Sequence, residues 1–164
     1  MVWLTYAPPE TDLFILLDSG TPVSEWEGLH FTMKGGTFSD YLANNHAARL
    51  CSAKMRKILD HMKSEIDELQ WLPVIVENEN GEQRQYFILH FPITYDVLNE
   101  KESIFGAYNS IIKPVISQSK AHGHNIFTFH GAAQLSFRIS EPVKVEIQKE
   151  KCTGMEFERV VISD

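Results

Sequence analysis

A chain of 164 residues that is 43% hydrophobic, 11% aromatic and 23% charged is long enough to bury a core without disulfide or metal staples, and its composition excludes a disordered, collagen-like or low-complexity protein. Fifteen Lys and Arg against 22 Asp and Glu leave a net charge of −7, which favours solubility and disfavours nucleic acid or an anionic membrane as partner. No apolar run approaches the roughly 20 residues that a membrane-spanning helix needs. The N-terminal Met-Val-Trp-Leu-Thr-Tyr lacks the basic and apolar regions of a secretory signal. Cys51 and Cys152 stand far apart without metal-ligand spacing, so they read as reduced thiols, and a cytoplasmic location suits them.

No Pro/Gly/Ser-rich linker divides the chain, which reads as one domain over 1–164. Residues 2–6 and 13–17 are short apolar runs bounded by Pro or Asp and predict strands. Ser52 is a helix N-cap: Met55, Ile58, Leu59, Met62, Ile66 and Leu69 follow it at spacings of three and four, forming one apolar stripe. Lys54, Arg56 and Lys57 lie at the positive end of that helix and Glu65, Asp67 and Glu68 at its negative end, against the macrodipole. Ser64-Glu65-Ile66-Asp67 offers a second cap with an acid three positions on, so the spacing predicts a break near Ser64.

Trp71 to Val76 and Tyr86 to Phe91 predict an antiparallel hairpin joined through Asn80-Gly81, with Pro92 ending its second strand. Asp96 to Ser103 reads as a short helix or turn, and Pro114 confines the apolar run Ile111 to Ile116 to an edge or bulge. Strands at Ile126 to Phe129 and Leu135 to Ile139 flank Gly131. Ser140-Glu141-Pro142 opens a second helix, although Val143, Val145 and Ile147 also alternate as a strand would. Gly154 is expected to end that helix, and Met155, Phe157, Val160 and Ile162 point to a last strand. The expected class is α+β, with a mainly antiparallel sheet and two principal helices. Leu50 to Arg56 and Arg138 to Lys144 share a pattern of apolar residue, serine, apolar residue and base, a faint internal echo.

His122, His124 and His130 are the one cluster with metal-ligating chemistry, and they define an alternative reading as a small metal- or ligand-dependent enzyme. Solvent-facing loop histidines are the plainer explanation. Neither a nucleophile elbow nor a phosphate-binding glycine loop occurs, and Ser52 and Ser140 are accounted for as caps. Trp3, Tyr6, Trp26, Tyr41 and Tyr108 are possible binding anchors, with core packing the default for each. Charge is uneven: residues 64–102 carry −7 and residues 49–63 carry +4, so the acidic stretch could capture a basic partner.

From about residue 39 onward the order of features resembles a bacterial immunity-protein domain family of polymorphic toxin systems, formerly a domain of unknown function. The pieces are Ser39-Asp40-Tyr41-Leu42, Leu50-Cys51-Ser52 leading into Met55 to Leu59, Gln70-Trp71-Leu72-Pro73-Val74, Tyr86-Phe87-Ile88-Leu89 with Asp96 and Ser103 beyond it, Asn125-Ile126-Phe127, Ile139-Ser140-Glu141 and Cys152 to Phe157. The resemblance implies a non-enzymatic protein, without cofactor, that binds and neutralises a cognate toxin, with no catalytic residue to carry over. An acidic inhibitor suits a basic toxin, and Asp67, Glu68, Glu77, Glu79 and Glu82 are the candidate toxin-binding residues. A binding module of another kind, or a homodimer formed through an exposed strand edge, is a further alternative.

Overall fold

The structure, a computed structural model, describes residues 2–6, 19–44, 46, 48–132 and 136–164; the strand expected over 13–17 lies outside them. Strands β1 (Val2–Tyr6), β2 (Leu29–Met33), β3 (Tyr41–Leu42), β4 (Leu50–Ser52), β5 (Gln70–Asn78) and β6 (Gln83–His90) form one sheet in the order β1-β2-β5-β6-β4-β3. Every neighbouring pair is antiparallel except β2 with β5. Between those two the chain passes through β3 and β4 at the far edge and through helix α1 (Ala53–Met62) before it returns. The α+β class and the mainly antiparallel sheet agree with the sequence reading.

The β5–β6 hairpin is the spine of the sheet, in register from Gln70 opposite His90 to Glu77 opposite Gln83. Its turn differs from the two-residue Asn-Gly form. Asn78 N donates to Glu82 O (2.9 Å) and Gly81 N to Asn78 O (3.0 Å), closing a three-residue loop in which Gly81 takes φ +77°. The Asn78 side chain sets this loop by accepting from the N–H groups of Asn80 and Glu82. The second half of β6 is buried on both faces. Tyr86 and Ile88 join Phe31, Leu72, Val74 and Val76 on one side, while Leu89 joins Met55, Leu59, Val143 and Ile147 on the other.

Helix α1 starts where Ser52 accepts from Met55 N (3.1 Å) and stops at Met62. Burial of Met55, Ile58 and Leu59 is worth about 1.5–3 kcal/mol each, which outweighs the few tenths lost per misplaced charge. Two of those three bases are used inside the chain: Lys54 Nζ donates to Glu150 O, and the Arg56 guanidinium lies 4.4 Å from the Phe87 ring centroid. Beyond Lys63 the expected break is real. Asp67 reaches back to Ser64 N as an N3 acid would, but a turn follows instead of a second helix, and Ile66 falls off the apolar stripe to 51% exposure.

Helix α2 (Gln118–Ala121) is a single turn, and helix α3 (Glu141–Lys149) is the second principal helix. In α3 Val143 and Ile147 are buried and Val145 is exposed, which resolves the ambiguous spacing in favour of i, i+4. Gly154 is not its stop. Lys151, at φ 54°, takes the left-handed position, with Lys151 N bonded to Gln148 O and Cys152 N to Ile147 O, the Schellman pattern. Gly154 (φ +91°) instead lets the backbone pass so close to β3 that any Cβ would run into the Tyr41 carbonyl oxygen.

Among the described residues three two-stranded sheets accompany the main sheet: β7 (Ile104–Phe105) with β8 (Ile111–Lys113), β9 (Val115–Ser117) with β12 (Val161–Ser163), and β10 (Ile126–Phe127) with β11 (Arg138–Ile139). Pro114 divides the expected 111–116 strand into β8 and β9, which pair with different partners. The last strand is parallel to β9, and residues 96–103 form turns rather than a helix.

The internal echo corresponds to a repeated unit, a short antiparallel strand pair leading into a helix: β3–β4–α1 and β10–β11–α3. Ser52 N donates to Asp40 O and Ser52 Oγ to Asp40 Oδ1, both at 2.8 Å. Ser140 repeats this with Asn125 O at 2.8 Å and Asn125 Oδ1 at 2.9 Å. Each unit also receives the segment that follows the other unit's helix, since Asp40 N donates to Thr153 Oγ1 and Asn125 N to Asp67 Oδ2. Asp67 therefore latches one unit to the other.

Candidate functional site

The acidic stretch does not form one surface. Asp67, a candidate toxin-binding residue, has a side chain 0% exposed and is withdrawn from that role. Its Oδ2 accepts from the N–H groups of Ser64, Asn125 and Ile126, each at 2.9 Å, and its Oδ1 faces His124 Nδ1 at 2.8 Å. Burial pushes this carboxyl up, but the bonds from Ser64, His124, Asn125 and Ile126 prevail and hold it below its ordinary value. Glu68 is exposed beside it at the start of β5, whereas Glu77, Glu79 and Glu82 gather at the opposite end of the strand. At roughly 3.3 Å per residue the ends of β5 stand on the order of 25 Å apart.

At that hairpin tip Glu79 and Glu82 are exposed and Glu77 is half-buried. Two of the three have local partners, Glu77 with His30 at 3.4 Å and Glu82 with Arg84 at 2.7 Å. The tip is a negative knob whose field is partly offset by its own base.

The histidine cluster does not assemble. His122 and His130 are exposed, while the His124 ring is held between Tyr95 (4.2 Å between centroids) and Phe127 (5.3 Å) with Nδ1 on Asp67. Among the described residues no group of three or more His, Cys, Asp or Glu side chains could hold a metal ion. Burial pushes the Cys51 thiol far up, and raises Cys152 as well, so both free cysteines stay protonated at neutral pH. Among the described residues no helix is long and apolar enough to cross a membrane.

Of the aromatic candidates, Tyr41 and Trp26 pack against the core, and the side chains of Trp3 and Tyr6 lie outside the described residues. Tyr108 breaks from the core-packing default. It crowns the β7–β8 hairpin with φ 56° and ψ 32°, fully exposed. Sequence reasoning missed this surface because Ile104, Phe105, Ile111 and Ile112 look like ordinary strand core; only Ile111 reaches the interior, against Val97, Ile116, Phe127 and Phe129. A cavity of about 910 Å³ beside α3 is lined by Tyr41, Phe137 and Met155 together with charges of both signs, including Arg138, Lys144, Glu156 and Glu158.

No curated protein matches the chain. The family described as Immunity protein family (Imm11) matches residues 7–161, extending the sequence resemblance through most of the first 38 residues. With nearly its whole length matched, the chain belongs to the immunity protein family (Imm11).

Proposed function

We propose that this protein, acting as one cytoplasmic domain, neutralises its cognate toxin by stoichiometric binding that blocks the toxin's working surface, without chemistry of its own. The family match over residues 7–161 carries this reading. An occluding complex needs about 1,600 Å² of interface in total, and the total accessible surface of 9799 Å² leaves ample room for one partner's share.

The acidic knob of Glu77, Glu79 and Glu82 steers a basic toxin toward the complex. Exposed charges of this kind act mainly on association rate, because salt and local partners reduce their contribution to affinity. Co-expression tests the reading: cells carrying the toxin encoded by the adjacent gene survive when this protein is present, and the two purify as a complex. Neither survival nor complex would refute it.

A further inference from the structure

We propose that Arg49 holds a small free oxyanion, a phosphate or a carboxylate, beneath the bend at Ser19 to Thr21. The site stands independently of the immunity reading.

Arg49 directly precedes β4, and its carbonyl accepts from Leu89 N of β6 (2.9 Å), so its backbone belongs to the sheet. Two-residue alternation turns its side chain to the face that Cys51 occupies. There the guanidinium carbon lies 5.1 Å from the Phe91 ring centroid, and the residue is only 4% exposed. A guanidinium stays protonated in a protein, so its burial has to be offset by acceptors or by an opposite charge.

The described residues offer it little of either. Nη1 and Nη2 both reach Ser19 Oγ, each at 3.5 Å, the outer limit of a hydrogen bond, and the buried Nε has no partner. The more exposed Arg56 and Arg84 have Asp60 and Glu82 beside them, whereas Arg49 has no carboxylate among the described residues. Its ionisable neighbours are Tyr41 and Cys51. Burial raises both, so neither supplies negative charge at neutral pH.

The open edge of the guanidinium defines the ligand. Ser19 Oγ stands between the two Nη atoms, which leaves Nε and its neighbouring Nη as a side-on fork. Two parallel N–H groups match two oxygens of one carboxylate or phosphate; a halide has no second atom to offer. The Ser19 hydroxyl, accepting from the arginine, keeps its own hydrogen for the same anion. Ser19 is half-buried and Gly20, Thr21 and Pro22 are exposed, so the fork lies under a bend that faces solvent. That bend is tied down by Gly20 N to Phe91 O (2.9 Å) and by His90 Nε2 to Thr21 O (2.6 Å).

Thermal melts of the full chain test the proposal, with sodium phosphate or sodium acetate replacing sodium chloride at constant ionic strength. We expect the melting temperature to rise saturably, by roughly 5–10 °C at a hundredfold excess over half-saturating phosphate. Arg49→Met, an apolar replacement of similar reach, should abolish the rise. Ser19→Ala, which alters only the bend, should raise the half-saturating concentration about threefold or more. No rise in the parent, or a rise that does not saturate, overturns the site. A rise that Arg49→Met retains puts the anion elsewhere and also overturns it. If Arg49→Met fails to fold, Ser19→Ala decides, and an unchanged half-saturation overturns the proposal. A parent that ignores both anions, while amides at Glu10, Asp12 and Asp18 lower its melting temperature and make it respond to phosphate, has its own carboxylate on the fork; that result overturns the free ligand.

Discussion

Asp67→Asn preserves side-chain shape at the latch between the two strand–helix units and removes its charge. The least costly arrangement keeps the amide oxygen on the N–H groups of Ser64, Asn125 and Ile126 and turns the amide NH2 toward His124, whose ring must then accept at Nδ1. All four bonds to the carboxylate lose their charge assistance, at about 1 kcal/mol each, so the loss is about 4 kcal/mol. For a chain of this size that lowers the melting temperature by roughly 10 °C. The pH dependence has a definite sign. Because the folded carboxyl lies below its ordinary value, the stabilisation is complete above the ordinary carboxylate range near pH 4 and disappears as pH falls through the lowered folded value. Thermal melts of both proteins by circular dichroism should therefore show the full gap at pH 7 and a shrinking gap below about pH 4. A gap under about 3 °C at pH 7, or one that persists undiminished in acid, would refute the latch argument.

Gly154→Ala places a methyl against the Tyr41 carbonyl oxygen at a φ of +91°, and should cost more than about 3 kcal/mol in urea denaturation. Ser52→Ala removes both a helix cap and a bond to Asp40 and should cost about 1–2 kcal/mol. Ser140→Ala, whose hydroxyl makes no cap bond and serves only Asn125, should cost less, by the same denaturation assay. Reversing Glu77, Glu79 and Glu82 to lysine should leave the melting temperature within a few degrees and slow toxin association about tenfold in stopped-flow mixing at low salt. An unchanged rate would reduce the acidic knob to a determinant of solubility.

Local chemistry made much of this fold readable. The β5–β6 hairpin, the cap at Ser52 and the break near Ser64 all follow from side chains acting on their own backbone within a few residues. What escaped depended on neighbours distant in sequence. Gly154 reads as a helix stop until Tyr41 is seen beside it, and Lys151 gives no hint that it will take the left-handed position. Asp67 reads as one acid among many because its donors, Asn125 and Ile126, come from the other strand–helix unit. The candidate surface was less legible than the fold for the same reason. Ile104, Phe105 and Ile112 carry the composition of core strand, and only the tertiary arrangement leaves them outside. The echo between residues 50–56 and 138–144 was visible in outline; its meaning came from the matching Ser–Asp and Ser–Asn bonds.

The central claim, neutralisation by stoichiometric occlusion, is tested most directly by titrating purified active toxin with this protein and following toxin activity. Activity should fall in proportion to the protein added, reach its floor at one equivalent, and not change further with incubation time. Inhibition that deepens with time at a small fraction of an equivalent, as an enzyme acting on the toxin would produce, would contradict the account, as would full toxin activity at excess.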